Sequence, residues 1–467
     1  MASDFDLLVI GSGPAGQRAA IQAAKLGKRV AIAEHESVVG GACINTGTIP
    51  SKTMRQAVLH LSGFYERAIY GPAYRVKKDI TMEDLLQRAS HVIRNEVDVT
   101  THQLQRNDIQ VMRATASFLT PSTVSLKFVN GRVQKITAES FIIAVGTETT
   151  RDPHIPFDGQ LVFTSDDVLA LEELPKTLAV IGAGVIGLEY GTMFATLGVR
   201  VTVIDKRNRM LEFVDHEIVD TLAHLMRERR ITLRLGEEVA VVEPFDDEER
   251  ARSRVRINLE SGKQIIADKA LYSIGRTGAT RMLNLGGAGL EANDRGRLTV
   301  DENYRTAVNN IYAVGDVIGF PSLASTSMEQ GRLAACHSFG IKTNSVPELF
   351  PYGIYTIPEI STVGPTEEEL TSEGIPYEVG KATYSEIARG QIIGDSSGLL
   401  KLIFHPDTRE LLGIHILGEG ASELIHIGQA VLAHKGTIDY FVNNVFNYPT
   451  LAECYKTAAL DGINRLG

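Results

Sequence analysis

Residues 40–52, GGACINTGTIPSK, place Cys43 at the head of a turn, with Thr48 five positions on and Pro50, Ser51 and Lys52 close behind. A second thiol at position 48 would make this a redox pair. An alcohol there forms neither a disulfide nor a useful thiolate, so the turn reads as half of a dithiol site. Two acids carry a different chemistry. Glu34 and Asp205 each end a strand-like run, where a carboxylate can hold ribose hydroxyls. Lys206 and Arg207 follow Asp205 directly.

The elements that must position the two acids are duplicated. LLVIGSGPAGQRAAIQAAKLGKRVAIAEHE from Leu7 aligns with LAVIGAGVIGLEYGTMFATLGVRVTVIDKR from Leu178. Gly11, Gly13, Gly16, Gly27 and Glu34 recur as Gly182, Gly184, Gly187, Gly198 and Asp205, each displaced by 171 positions. GxGxxG alone is weak, but preceded by an apolar strand and followed by a helix, a Leu-Gly stop, a second strand and an acid it marks a dinucleotide site. The first glycine permits the tight turn, the second lets backbone approach a pyrophosphate, and the third lets helix and strand pack closely. The helix N-terminus then offers amides to the phosphates. Gly27 and Gly198 are expected to end their helices in left-handed conformations. Two dinucleotides in one chain point to a hydride relay through a bound flavin. A later strand ends in Gly315-Asp316, whose carboxylate can reach a ribityl or ribose hydroxyl.

A chain of 467 residues has room for about three domains of roughly 150 residues. The 43 % hydrophobic and 22 % charged content is that of a globular protein, and the net charge of −10 argues against nucleic acid or an anionic membrane surface as partner. Three cysteines, Cys43, Cys336 and Cys454, give no CxxC and no disulfide framework, which fits a reducing compartment. No apolar run approaches the roughly 18 residues of a membrane span, and the N-terminus shows no basic leader, so a cytoplasmic location is expected. The twelve histidines form no metal-ligand pattern, and no metal is expected. DDEER (246–250) reads as a solvated hairpin turn and RERR (227–230) as an exposed helix end.

With these segments in view, the chain resembles the pyridine nucleotide-disulfide oxidoreductase family. The likeness covers nearly all of it: the first GxGxxG with Glu34, the GGxC…IPSK turn, FIIAVG ending at Gly146, the second GxGxxG, SIGR ending at Gly275-Arg276, YAVGD, IYTIPEISTVG and PTLAE. Val145 stands where the family has a threonine. The resemblance implies an α/β fold with two Rossmann-like dinucleotide-binding domains, glutathione-reductase-like, plus a C-terminal α+β dimerisation domain. FAD would be bound by 1–150 and 276–345, NAD(P) by 151–275, and a homodimer interface formed by 346–467. RDPHIP (151–156) and IKTNSVPELFP (341–351) fit as junctions.

By the same resemblance Gly11, Gly13, Gly16, Glu34, Cys43, Lys52, Gly146, Gly315 and Asp316 would contact FAD. Gly182, Gly184, Gly187, Glu189, Asp205, Arg207, Gly275 and Arg276 would contact NAD(P). Lys52 and Glu189 would form an ion pair beside the flavin and tune it.

Disulfide-reducing members carry a C-x4-C pair and a C-terminal histidine before Pro-Thr. Thr48 and Tyr448 stand in those places while Glu453 is kept. A phenol with an ordinary pKa near 10 is a poor proton shuttle at neutral pH. Both losses fall in one pathway, and the combination resembles the transhydrogenating branch of the family. It implies ping-pong hydride transfer from NADPH to NAD+ by way of reduced flavin, with Asp205 serving NAD(H) and Arg207, with Lys206, pairing with the 2′-phosphate. Cys43 is expected to be an inert neighbour of the flavin. Three alternatives stay open: an NAD(P)H:quinone or dye reductase, a peroxide or CoA-disulfide reductase using Cys43 alone, and a non-catalytic FAD-binding scaffold.

Overall fold

A computed structural model of the chain describes residues 3–343 and 349–467. Its contacts divide it into two compact units: Met1–Thr53, Leu86–Arg151 and Gly275–Pro347 in the first, and Met54–Leu85, Asp152–Ile274 and Glu348–Gly467 in the second. Residues 54–85, in sequence part of the expected FAD segment, thus cluster with the second unit. Part of the expected junction 341–351, residues 344–348, lies outside the described residues.

The first unit is built on a parallel sheet in the spatial order Ile311–Ala313, Val133–Ile143, Phe5–Ile10, Val30–Glu34, Gln110–Thr120. Leu7, Leu8 and Val9 are all fully buried, which explains why this strand reads as an unbroken apolar run. Burial of each such side chain contributes about 1.5–3 kcal/mol. Gln110–Thr120 and Val133–Ile143 extend past this sheet and pair antiparallel with Thr123–Phe128 between them. Helix Pro14–Lys25 makes the first crossover, and helix Ala324–Ser338 packs on it so closely that a Cβ on Gly331 would lie 2.1 Å from the Ala15 carbonyl oxygen.

The second unit holds a five-stranded parallel sheet ordered Thr232–Leu235, Arg200–Asp205, Thr177–Ile181, Lys269–Tyr272, Val162–Thr164, with helix Val185–Thr196 as the crossover. Val239–Asp247, Arg252–Leu259 and Gln264–Ala267 form an antiparallel appendage. Its first hairpin turns at Glu248–Arg250, with Asp246, Glu248 and Glu249 exposed, so the acidic run is a solvated turn. Tyr352–Ile354, Ile360–Val363, Leu411–Leu417, Leu399–Phe404 and Glu378–Thr383 make an antiparallel sheet in that order. Helices Ala421–Ala433 and Glu453–Arg465 bury their apolar sides with it around Ile414, Ile416, Leu402 and Tyr455.

Lys401, fully buried on this last sheet, donates to both Asp215 oxygens at 2.8 and 2.9 Å and pairs with Glu217 at 3.2 Å and with Glu367. Burial penalises the ammonium, but hydrogen bonds to Asp215 and Glu367 outweigh that and raise its pKa. Asp215, Glu217 and Glu367 are also the one group among the described residues whose ligand atoms come close enough to hold a metal, and the lysine supplies the charge there. The expected exposed helix end at 227–230 holds for Arg227, Glu228 and Arg230 but not for Arg229. Arg229 donates to the Ile357 carbonyl and stacks 4.6 Å from the Phe64 ring centre, because the chain from Met54 to Leu85 folds back against it.

Candidate dinucleotide and redox sites

Gly11 and Gly182 turn the chain out of their strands with φ of +102° and +111°. A Cβ on Gly16 would lie 2.0 Å from the Gly11 oxygen, and one on Gly187 2.1 Å from the Gly182 oxygen. Only glycine fits these third positions. At the second positions, Gly13 and Gly184, a Cβ would meet nothing within 4 Å. Both are the N-caps of their helices and neither helix has a side-chain cap. Open space above uncapped amides is what a pyrophosphate needs. Gly27 and Gly198 have φ of +74° and +93°, the expected left-handed helix ends.

The two acids close each loop in the same way. Glu34, 3 % exposed, accepts the Ser12 N–H at 2.8 Å and the Ser12 hydroxyl at 2.6 Å on one oxygen, and the Glu36 N–H at 2.9 Å on the other. Asp205 accepts the Ala183 N–H at 2.7 Å. Ser12 and Ala183 are the middle residues of the two GxG turns and are themselves 171 apart, so each acid pins its loop. Burial pushes the Glu34 carboxyl up, but hydrogen bonds from His35, Ser12 and Glu36 outweigh it and hold the group below its ordinary value. For Asp205, burial is likewise outweighed by hydrogen bonds from Arg207 and Ala183. Arg207 clasps Asp205 through Nε at 3.0 Å and Nη2 at 2.7 Å. Lys206 lies 3.5 Å from Glu238 with both side chains largely exposed, a pairing of little strength.

The cysteine turn is docked on the first loop. Gly40 N–H donates to the Ser12 carbonyl at 3.2 Å and hydroxyl at 3.1 Å, and a Cβ on Gly41 would press within 2.9 Å of the Gly13 Cα. Cys43 follows in the short helix Gly41–Asn45, and Thr48 opens helix Thr48–Ser62. The thiol and the threonine hydroxyl are hydrogen-bonded neighbours, and burial pushes the Cys43 thiol up despite that bond. A raised thiol is an unreactive one. Cys336 and Cys454 are buried on helices, with burial pushing Cys454 up to about 12.

Gly315, at φ +78°, donates to Gln330 Oε1 at 2.9 Å and approaches Ala15 so closely that a Cβ would lie 3.2 Å away. Burial raises the Asp316 carboxyl, opposed by the nearby Arg276 guanidinium and hydrogen bonds from Thr147 and Ser327. Gly275 and Arg276, expected to contact NAD(P), lie in the first unit, although Gly275 is the last residue of the expected NAD(P) segment: strand Arg276–Gly278 pairs with Thr147–Thr149, and Arg276 donates to the Thr147 hydroxyl at 2.8 Å and carbonyl at 2.7 Å. Gly146 turns at φ +65° just before that strand.

Lys52 belongs to the first unit, where its ammonium reaches the Ser51 hydroxyl at 3.3 Å, and Glu189 to the second. Glu189 is 4 % exposed and accepts the Tyr355 N–H at 2.8 Å, while Thr192, one turn on, accepts the Ile357 N–H at 3.1 Å. These clasps between the crossover helix and the turn joining the first two strands of the C-terminal sheet had no signal in the sequence. Tyr448 is 74 % exposed, and Glu453 keeps one carboxylate oxygen buried without a hydrogen-bond partner.

The model for "Pyridine nucleotide-disulphide oxidoreductase" matches residues 5–331, and that for the family's dimerisation domain matches 350–459. The chain belongs to this family. Within it, a protein named soluble pyridine nucleotide transhydrogenase from Mycobacterium bovis BCG is 52 % identical over 464 residues, covering 99 % of this chain and 98 % of its own. A protein of the same name from Azotobacter vinelandii is 44 % identical with 99 % of both chains covered. Among solved structures, the HOCl-induced flavoprotein disulfide reductase RclA from Escherichia coli is similar with a TM-score of 0.86 at 27 % identity, covering 97 % of this chain and 99 % of that one. LpdA from Mycobacterium tuberculosis gives 0.88 at 25 % identity, with 99 % of both covered. The fold is therefore the family's glutathione-reductase-like one, mixed α/β, with two dinucleotide-type domains and a dimerisation domain. No helix of the described residues is long and apolar enough to cross a membrane.

Proposed function

We propose that this chain is a flavin-dependent transhydrogenase, NADPH + NAD+ = NADP+ + NADH, acting as a cytoplasmic homodimer. The observation that carries this reading is Cys43, half-buried, beside Thr48: the position of a dithiol is built and its second sulfur is absent. Electrons then have no thiol route onward, and two nicotinamides remain as donor and acceptor.

FAD, when bound, supplies an isoalloxazine that accepts hydride from one nicotinamide and returns it to another. The residues present fit it. Gly13 leaves the uncapped helix Pro14–Lys25 open to the pyrophosphate, Glu34 is held ionised for the ribose, and Asp316 lies beside Gly315 for a further hydroxyl. In the second unit Gly184 leaves helix Val185–Thr196 open in the same way, and Asp205 and Arg207 face the adenosine ribose of NAD(H) or NADP(H). By the resemblance, Lys52 and Glu189 are each proposed to tune the flavin, and Gly275 and Arg276 to act towards NAD(P). Cys43 takes no part in electron transfer.

Two anaerobic half-reactions test this. NADPH mixed rapidly with the oxidised holoenzyme is expected to bleach the flavin, and NAD+ then to restore its absorbance. Bleaching by NADPH with recovery by quinones or peroxide but not by NAD+ overturns the proposal.

A further inference from the structure

The structure assigns Arg207 a second role. Besides attracting a 2′-phosphate, it competes with the nucleotide's ribose for Asp205, so that one side chain sets the balance between NADP(H) and NAD(H). This inference rests on the reading that Asp205 and Arg207 face the adenosine ribose.

Asp205 is 8 % exposed, and four donors meet its two oxygens. One oxygen receives the Ala183 N–H at 2.7 Å and Arg207 Nη2 at 2.7 Å; the other receives the Arg207 N–H at 2.9 Å and Arg207 Nε at 3.0 Å. An ionised carboxylate has about four acceptor sites, so Asp205 is full. Two of its donors are backbone amides fixed by the turn. The other two belong to the Arg207 side chain, which is 40 % exposed and able to swing outward. A ribose hydroxyl gains Asp205 only when that guanidinium leaves.

The consequence differs for the two nucleotides. With NADP(H), the phosphate offers the departing guanidinium a new bidentate, charge-assisted partner, and loss of the clasp is offset. With NAD(H), the 2′-hydroxyl takes the place of a bidentate arginine on the acid and nothing receives the arginine but water. The clasp therefore weakens NAD(H) binding while it neutralises the acid that would otherwise repel a 2′-phosphate. The first loop lacks this arginine: 171 positions earlier the residue matching Arg207 is Glu36, which gives Glu34 only its backbone N–H.

Arg207→Ala and Arg207→Gln in the FAD-loaded enzyme, titrated with NAD+ and with NADP+ by isothermal calorimetry, test this. NADP+ is expected to bind about 10–100-fold more weakly, the range of one charge-assisted hydrogen bond. NAD+ is expected to bind about three- to tenfold more tightly, because Asp205 is released. NADP+ weakened with NAD+ unchanged would leave Arg207 as a phosphate ligand and overturn the competition. Neither affinity moving would overturn the placement of the ribose as well. Both weakening together would make the clasp structural and overturn the inference. Melting temperatures within a degree or two of the parent keep misfolding out of the comparison, and the Gln variant serves should the Ala variant fall outside it.

Discussion

Gly184→Ala separates nucleotide binding from folding. Gly184 has φ −83° and ψ −178°, an extended conformation that alanine adopts without strain, and its added methyl would meet no protein atom within 4 Å. Stability should therefore stay within about 0.5 kcal/mol, or rise by about 0.4–1 kcal/mol through the loss of freedom in the unfolded chain. The same methyl occupies the space above the uncapped amides of helix Val185–Thr196. A hydrogen bond from such an amide to a phosphate contributes about 1.5–3 kcal/mol, so losing one weakens NAD(P)(H) binding about 10–150-fold. The control is Gly187→Ala, whose methyl would sit 2.1 Å from the Gly182 oxygen and 2.6 Å from the Ser273 hydroxyl. Backbone must shift there, at a cost of about 1–3 kcal/mol. Urea denaturation and NADPH titration of both variants give the readout. A Gly184→Ala enzyme that binds NADPH as well as its parent, or one as destabilised as Gly187→Ala, would refute the assignment of this loop to the pyrophosphate.

Lys401→Met should cost about 3–5 kcal/mol in urea denaturation, since it strands the buried Asp215 beside Glu217 and Glu367; a loss under about 1 kcal/mol would show the cluster to be indifferent. The sign of its pH dependence follows from the two shifts. Burial raises Asp215, but the charge of His415 and the bonds and charge of Lys401 lower it further, so its contribution is present above the unfolded value of about 3.9 and is lost as pH falls through the lower folded value. Lys401 is raised, so its contribution is present below about 10.4 and is lost as pH rises through the higher folded value. The stability gap between the parent and Lys401→Met should accordingly be flat from about pH 5 to pH 9 and shrink on either side, as urea midpoints across pH would report. Thr48→Cys should create an oxidisable pair with its neighbour Cys43, read as two fewer titratable thiols after mild oxidation; an unchanged count would mean that the two side chains do not meet.

Much of the fold was legible because it is written twice. The two GxGxxG runs share strand, helix, stop and acid at a constant offset, and the φ values of Gly11, Gly182, Gly27 and Gly198 agree with what each position requires. The acids could be read as ribose ligands, but their bonds to Ser12 and Ala183 could not, although the same offset relates that pair and held the clue. Arg229 looked like a solvated helix end because the patterning of one helix does not reveal that residues 54–85 cover it. Lys401 and Asp215 are 186 positions apart, and no local period announces a buried lysine on an apolar strand. The thiol-alcohol pair was plain from the spacing of Cys43 and Thr48, whereas the partial burial that pushes the Cys43 thiol up is a property of the turn docked on Ser12.

Hydride must pass between the two nicotinamides without help from a thiol. Anaerobic turnover from NADPH to thio-NAD+ by the FAD-loaded enzyme measures this directly, in the parent and in Cys43→Ser. Parallel double-reciprocal lines, with a rate kept within about twofold in the variant, are the predicted result. Flavin reduced by NADPH but passing nothing to thio-NAD+, or turnover abolished by Cys43→Ser, would contradict it.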